Sequence, residues 1–377
     1  MTDEPGTYAL IVGGGTAGHV LPGVAIGREL VARGHAPESV HFVGSERGVE
    51  RKLVPEAGFG LTVLPGRGIQ RRLTTDNVGA IAGLLRAFGT SFSLLREHRP
   101  KVVVALGGYA SVPAGLWAVL RRVPIVVAEQ NAVPGLANSI IGRFARACAV
   151  SYEGTDLPRA EWTGNPVRPE ILAVADVDAD ARAAARARLG VDPDRRLVVV
   201  FGGSLGARTI NNAVLGALDG LADRADLSIR HIIGVRDHAD IVARAGDRSA
   251  DALEWVPVEY EDDMATVFAA ADLVVCRAGA TSCAELAVTG TPSVLVPLPG
   301  APGDHQTENA RALERAGGAE LIADADFEGP RLVATIERLI DDEAALGRMG
   351  QQARDIARPD AAAAVVDLVE RHAAGGA

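Results

Sequence analysis

Residues 276–309 read CRAGATSCAELAVTGTPSVLVPLPGAPGDHQTEN. The apolar run 273–276 predicts a strand, which gives way at once to Arg277, Ala278, Gly279, Ala280, Thr281 and Ser282. A strand that ends in glycine and hydroxyls and turns into a helix, here about 281–288, aims backbone N–H groups beyond the strand, where they hold an anion. Glu285 lies four residues after Thr281 and shares its helical face. A carboxylate is a poor phosphate ligand but a good acceptor for paired sugar hydroxyls. A second strand over 293–296 leads into a rigid loop of Pro297, Pro299 and Gly300. Asp304, His305, Gln306 and Asn309 then open another helix, with Gln306 and Asn309 three apart on one face. Phosphate donors, a diol-binding acid and two amides in one compact stretch describe a pocket for a nucleotide sugar. The same residues also fit an ordinary strand–helix–strand unit with a glycine cap and polar loops, so the choice falls to the rest of the chain.

At 377 residues, 48% of them apolar, the chain suits two domains of roughly 150–200 residues, each with its own core. The cysteines, Cys148, Cys276 and Cys283, form no C-x-x-C pair, which fits a reducing compartment. No charged-then-apolar leader and no run of ~18 apolar residues stands out, so the reading is of a protein neither secreted nor membrane-spanning. A net charge of −10 argues against a nucleic-acid partner. The charge is uneven: residues 1–167 carry 17 Lys+Arg against 13 Asp+Glu (+4), and the remainder 21 against 35 (−14). A positive half on an acidic protein suggests that one end meets something anionic, such as a membrane surface, although drift in surface composition gives the same split. Lys52 and Lys101 are the only lysines and neither sits in G-x-x-x-x-G-K-[ST], which excludes a P-loop nucleotidase.

Near the N-terminus a strand over 8–12 runs into Gly13-Gly14-Gly15-Thr16-Ala17-Gly18-His19 and a helix to about Arg33. This is literally G-x-G-x-x-G, although any close strand–helix turn favours glycine. A dinucleotide site would want an acid at the end of the strand 41–43, and Glu46 is a shifted candidate. His19 falls in the first helical turn at the C-terminal edge of the sheet, where open α/β sheets bind ligands. A helix N-terminus disfavours imidazolium, which would keep His19 a neutral base; a histidine that merely caps the turn is the alternative. Arg67, Arg71 and Arg72 lie in the basic loop GRGIQRR at 66–72. Val78, Ile81, Leu85, Phe88, Phe92 and Leu95 then recur at helical spacing, with Leu84 and Leu94 off the stripe and widening its apolar surface. Strands over 102–105 and 124–128 end in Gly107-Gly108-Tyr109-Ala110-Ser111 and Glu129-Gln130-Asn131. Three polar residues in a row after a buried strand are costly to hide and are expected to line a cleft. Thr163-Gly164-Asn165-Pro166-Val167-Arg168 reads as the hinge out of the first domain. Asp176, Asp178 and Asp180 invite a metal-binding reading, but acids at a helix N-terminus account for them better.

The run 197–201 and its turn Gly202-Gly203-Ser204-Leu205-Gly206-Ala207 repeat the form of residues 10–18. Two such starts, each heading its own series, predict two doubly wound, Rossmann-like α/β domains. The expected boundaries are 1–166, 167–357 and a terminal helix, 358–377, packing back on the first domain. Later strands are expected near 229–233, 253–256 and 319–322, and helices from about 327 to 369, broken at Pro359.

Six motifs then occur in order: G-G-G-T-A-G-H at 13–19, G-G-Y-A-S at 107–111, E-Q-N-A at 129–132, G-N-P-V-R at 164–168, G-G-S-L-G-A at 202–207, and R-A-G-A-x-x-x-x-E with its P-x-P loop and H-Q-x-x-N. Together they resemble glycosyltransferase family 28, the peptidoglycan N-acetylglucosaminyltransferases, nearly from end to end. Ala17 stands where that family usually has glycine, and Ala128 where a histidine often precedes E-Q-N, so no catalytic role for that histidine carries over. The resemblance implies a GT-B arrangement, with two domains facing a cleft. It implies inverting transfer of N-acetylglucosamine from UDP-GlcNAc to the 4-hydroxyl of undecaprenyl-diphosphate-linked N-acetylmuramoyl-pentapeptide, at the anionic cytoplasmic face of the cell membrane.

Under that resemblance Thr16, Ala17, Gly18, Ser204, Gly206 and Ala207 supply backbone and hydroxyl donors, and Arg168 neutralises the diphosphate. Ala280, Thr281 and Ser282 place the donor, Glu285 accepts from the ribose, and Gln306 and Asn309 hold the sugar hydroxyls. Asn131 faces the transferred sugar, and Tyr109, Ser111 and Gln130 the acceptor. His19 is the leading base and Glu129 the alternative. Arg67, Arg71, Arg72, Leu84, Phe88 and Phe92 would contact the membrane. No cofactor is implied; a divalent cation could assist, but no ligand cluster is visible. Two rival classes are a dinucleotide-dependent oxidoreductase, which leaves the second glycine turn without a job, and a non-catalytic or epimerase-like nucleotide-sugar protein.

Overall fold

The computed structural model describes residues 6–46, 48–65, 76–203 and 206–374, with backbone alone at 76–82, 84 and 85. Arg67, Arg71, Arg72, Ser204 and the Leu84 side chain therefore lie outside the described residues. The chain divides into two units, Met1–Arg168 with Arg358–Ala377, and Pro169–Ala357.

In the first unit the strands are β1 (Ala9–Gly13), β2 (Val40–Ser45), β3 (Gly60–Leu64), β4 (Val102–Gly107), β5 (Ile125–Glu129), β6 (Ala147–Val150) and β7 (Ala160–Trp162). They form one parallel sheet in the order β3-β2-β1-β4-β5-β6-β7. The order reverses between β1 and β4, which sets a crevice beyond their C-terminal ends. The helices are α1 (Ala17–Ala32), α2 (Glu50–Glu56), α3 (Asp76–His98), α4 (Ser111–Leu120) and α5 (Leu136–Ile141). Val102, Val104 and Val126 face one core, Val103, Ile125 and Val127 the other, because alternate residues of a strand covered on both faces are all buried. The helix Ala361–Ala374 joins this unit: Val365, Val366 and Val369 enter the core of β1 and β4, and Arg33 donates to Asp367 at 2.6 Å and Glu370 at 3.0 Å.

The second unit repeats the plan with β8 (Arg196–Phe201), β9 (Leu227–Ile232), β10 (Glu254–Val258), β11 (Leu273–Cys276), β12 (Ser293–Leu295) and β13 (Ala319–Leu321), ordered β10-β9-β8-β11-β12-β13 and all parallel. Both halves are doubly wound, as expected. Strands β3, β6 and β7 were not apparent in the sequence. β3 is half-exposed, β6 is four residues including two alanines, and β7 is an exposed three-residue edge. β6 and β7 carry no run of β-branched residues, and β3, although it contains Thr62 and Val63, lacks the continuous burial of the central strands. The C-terminal helices break at Asp341 and Asp342 as well as near Pro359, because the Asp342 carboxylate caps the next helix at Ala345 N.

One expectation fails here. Leu94 does not widen an outer surface; it is buried in the core with Leu95. The reading of the acids near 178 as a helix start agrees with the structure: Asp178 is the N-cap of helix Ala179–Leu189, accepting from Ala181 N at 2.8 Å.

Candidate active site

In the second unit, β11 ends at Cys276 and helix Ala280–Thr289 begins behind Gly279, with no side chain capping its first turn. The orphan N–H groups of that turn, at Ala280, Thr281 and Ser282, are ready-made anion donors. Thr281 Oγ1 is buried in the same turn without a hydrogen-bond partner. A buried hydroxyl with no partner is costly, so it marks a position that a ligand completes. Glu285, nearly buried, follows one turn on. Burial holds the Cys276 thiol protonated, so it is no nucleophile.

Arg277 braces the loop. Its guanidinium donates to Val296 O at 3.1 Å and Pro297 O at 3.0 Å and pairs with Asp324, tying the ends of β11 and β12 together. Gln306 Oε1 accepts from Leu298 N at 2.9 Å. That bond uses the carbonyl oxygen and leaves the two amide hydrogens for other partners. Asn309 departs from the expectation: it is 0% exposed and donates to Ala278 O at 3.1 Å. It shapes the turn rather than touching sugar hydroxyls. At the other turn, Gly206 has φ +75° and a Cβ there would lie 2.1 Å from Ile233 O, so only glycine fits. Ala207 behind it is the N-cap residue of helix Arg208–Leu218 and is buried.

In the first unit, Thr16 is the extended N-cap residue of α1, again without a side-chain cap. Ala17 and Gly18 open the helix and are half-buried. His19 Nδ1 lies 3.1 Å from Thr16 Oγ1, so the threonine hydroxyl orients the ring. A Cβ on Gly107 would come within 3.3 Å of His19 Nε2 and 3.2 Å of Asn138 Nδ2, which places the imidazole at the C-terminal end of β4, on the switch point. Arg168 is half-buried at the end of the unit.

Two sequence assignments are corrected, those of Glu129 and Ser111. Glu129 is 3% exposed; Oε1 accepts from Asn131 N (2.9 Å) and Nδ2 (3.2 Å), and Oε2 from Gly135 N (3.0 Å) and Asn138 Nδ2 (2.9 Å). Four donors on a buried carboxylate make a brace for the 129–138 loop, not a base, and Asn131 is held by it. Ser111 is wholly buried, accepting from Gly107 N and hydrogen-bonding Val12 O and Gly107 O, so it binds β1 to β4 and does not meet an acceptor. Gln130 is also buried, with Nε2 donating to Ala128 O at 2.7 Å and Oε1 unpartnered. Tyr109 is half-buried; its hydroxyl donates to Pro65 O at 3.0 Å and burial raises its pKa, so it stays a phenol.

Phe92 packs against Trp117 with ring centroids 4.7 Å apart and planes tilted by 52°, Arg121 lies 5.2 Å from its ring, and the Phe88 carbonyl accepts from Trp117 Nε1. Both phenyl groups are half-buried. Leu120, at the end of α4, and Phe144 are exposed apolar side chains, and Phe144 lines a cavity with Arg122, Arg143 and Arg146; nothing in the spacing of residues 76–98 pointed to them.

Sequence reasoning also passed over Glu50. Its carboxylate is buried below the first glycine turn and accepts from Gly15 N at 2.9 Å. The shifted acid considered at that strand end, Glu46, is exposed. Among the described residues, no helix is long and apolar enough to cross a membrane, and no group of three His, Cys, Asp or Glu could hold a metal.

The Glycosyltransferase family 28 N-terminal domain matches residues 9–150 and the C-terminal domain residues 197–368. A protein of a Nocardioides species is 42% identical over 352 residues (93% of this chain, 94% of its own), and one of Acidothermus cellulolyticus is 41% identical over 368 (97% and 98%). Both are named UDP-N-acetylglucosamine--N-acetylmuramyl-(pentapeptide) pyrophosphoryl-undecaprenol N-acetylglucosamine transferase. Among solved structures, Acinetobacter baumannii MurG is 28% identical with a TM-score of 0.76, covering 97% of this chain and 99% of its own. The Neisseria meningitidis UDP-GlcNAc 2-epimerase, at 12% identity and TM-score 0.66 over 97% and 100%, shares the fold. With both of its domains matched, and relatives this similar along nearly the whole length, the chain belongs to glycosyltransferase family 28.

Proposed function

We propose that the protein transfers N-acetylglucosamine from UDP-GlcNAc to the 4-hydroxyl of an undecaprenyl-diphosphate-linked N-acetylmuramoyl-pentapeptide, with inversion at the anomeric carbon. The observation that carries this reading is the turn at 279–285. An uncapped helix N-terminus, the unpartnered Thr281 hydroxyl and the Glu285 carboxylate stand within two turns of one helix. That set suits a nucleotide diphosphate with a ribose beside it. The names of the relatives supply the sugar and the acceptor.

The second unit holds the donor. Ala280, Thr281 and Ser282 hydrogen-bond it by backbone and hydroxyl, Glu285 accepts from the ribose, and the free amide hydrogens of Gln306 reach the sugar. In the first unit the Thr16–Gly18 amides and Arg168 stabilise charge growing on the diphosphate, and oriented donors of this kind do most to lower the barrier of such transfers. His19, oriented by Thr16, takes the proton from the acceptor hydroxyl as its oxygen bonds to the anomeric carbon. The bond to the diphosphate oxygen breaks and UDP leaves with the electron pair. No resident cofactor is assigned; unchanged turnover after chelation would agree, and loss restored by a divalent cation would require one.

The acceptor is lipid-borne, so the enzyme works at a membrane surface, and the reading places it on the cytoplasmic face, held peripherally. Leu120 and Phe144 with Arg122, Arg143 and Arg146 face anionic headgroups, a role that the sequence reading also gives to Arg67, Arg71 and Arg72, with no nucleic acid involved. The deciding assay is UDP release with a short-chain lipid-linked acceptor. Release only when that acceptor is present supports transfer; release without it, or epimerisation of UDP-GlcNAc, supports the epimerase-like alternative.

A further inference from the structure

Glu50 opens α2, yet its carboxylate is 1% exposed. Oε1 accepts from Ser45 N at 2.6 Å and Ser45 Oγ at 2.8 Å, and Oε2 accepts from Gly15 N at 2.9 Å. The carboxylate thus joins the C-terminal ends of β1 and β2 across 35 residues of chain. The space around it is made for it. A Cβ on Gly14 would come 2.4 Å from Oε1, one on Gly44 2.4 Å from Cγ and one on Gly48 1.9 Å from Oε2. Three glycines that leave room for one buried acid form a built socket, not an accident of the surface.

The turn it holds needs holding. Gly13, Gly14 and Gly15 have φ of +153°, +151° and +97°, a run with little intrinsic preference for one shape. Gly15 is followed by Thr16, whose hydroxyl lies 3.1 Å from His19 Nδ1. Turning the Gly15 N–H inward onto Glu50 also removes it from the anion donors, which leaves Thr16, Ala17 and Gly18 for a ligand.

We propose that Glu50 is a positioning residue for the transfer reaction: by anchoring the Gly15 amide it sets Thr16, and through Thr16 the orientation of the His19 ring. This rests on His19 being the base in the proposed function. Glutamine at this position would keep its carbonyl oxygen on the two Ser45 donors and turn its amide N–H2 against the single Gly15 N–H. Glu50→Gln therefore releases Gly15 selectively. Glu50→Asp keeps the charge and shortens the reach, which separates the anchor from the charge.

The experiment compares full-length wild type, Glu50→Gln and Glu50→Asp by UDP titration, by kcat and its pH profile with a short-chain lipid-linked acceptor, and by hydrogen exchange over residues 13–19. In both variants UDP affinity should fall by no more than a few-fold, because the second unit holds the donor in the proposed function, while kcat falls about 10- to 100-fold, the range expected when a reacting group is displaced by about an ångström. The acidic limb of the kcat profile should shift, and exchange at Gly15–His19 should quicken. Wild-type kcat and wild-type exchange in Glu50→Gln would overturn the proposal. So would a parallel loss of UDP affinity and kcat, the mark of a general folding defect. If the wild type itself transferred nothing to the acceptor, the functional reading would fall, and the exchange measurement would still decide the anchor.

Discussion

The Asn309 side chain donates to the carbonyl oxygen of Ala278 at 3.1 Å, linking the second helix of the donor stretch to the turn that ends β11. An amide that is wholly buried acts on a ligand only through the turn it holds. Asn309→Ala should therefore raise the donor KM by loosening the 278–282 turn, leave acceptor KM near wild type, and lower the unfolding midpoint. Orphaning a buried carbonyl costs about 1–3 kcal/mol. A raised donor KM with an unchanged midpoint would instead mean direct contact with the sugar.

Glu285→Ala should raise donor KM strongly and acceptor KM little. A hydrogen bond to a charged group is worth roughly 1.5–3 kcal/mol, or about 10- to 100-fold. The same contact predicts discrimination against a 2′-deoxy donor by the wild type. Equal use of both donors would remove Glu285 from the ribose.

His19→Ala should lower kcat by about 10²–10⁴ and abolish the acidic limb of the pH–rate profile. Thr16→Val, which removes the hydroxyl 3.1 Å from Nδ1, should give a smaller loss in the same direction. With Glu129 committed to four donors, a normal His19→Ala enzyme would require a base from outside these residues.

Folding stability should fall on acidification from pH 6.5. Burial, with His98 beside it, lowers the His41 pKa to about 4, and burial, with a smaller contribution from His238, lowers that of His231 to about 3. Below 6.5 the unfolded chain takes up protons that these native imidazoles refuse, so stability is complete above 6.5 and is lost as pH drops toward the folded values. For the fully buried His231 the loss is about 1.4 kcal/mol per pH unit. Denaturant titrations at pH 7, 6 and 5 check the slope, and His231→Gln should flatten it.

Co-sedimentation with anionic vesicles should weaken for an Arg122/Arg143/Arg146→Ser triple variant and for an Arg67/Arg71/Arg72→Ser one. Each arginine near such a surface contributes about 1 kcal/mol, screened by salt. Leu120→Ser with Phe144→Ser should remove the salt-resistant remainder. Equal binding by all variants at low salt would place the contact elsewhere.

The features legible in the amino-acid sequence are local in origin. Leu197–Phe201 followed by glycines, and Leu273–Cys276 followed by Gly279, declare strand, turn and helix because apolar runs and the turn residues after them depend only on neighbours in the chain. Two such starts were enough for two doubly wound halves, and six ordered motifs for the family. The uncapped turn at Thr281 and the place of His19 on α1 were legible for the same reason. Which polar side chains have partners was settled by the folded chain alone. Glu129, Ser111 and Asn309 looked like ligand contacts because each follows a buried strand or shares a helix face with one that does. Their hydrogen-bonding capacity is instead taken up by Asn138, Val12 and Ala278. Glu50 was passed over because its partner, the Gly15 amide, lies 35 residues away in the chain. A buried polar group must be satisfied, and whether its partner is a ligand or another part of the chain depends on long-range contacts that spacing along the sequence does not contain.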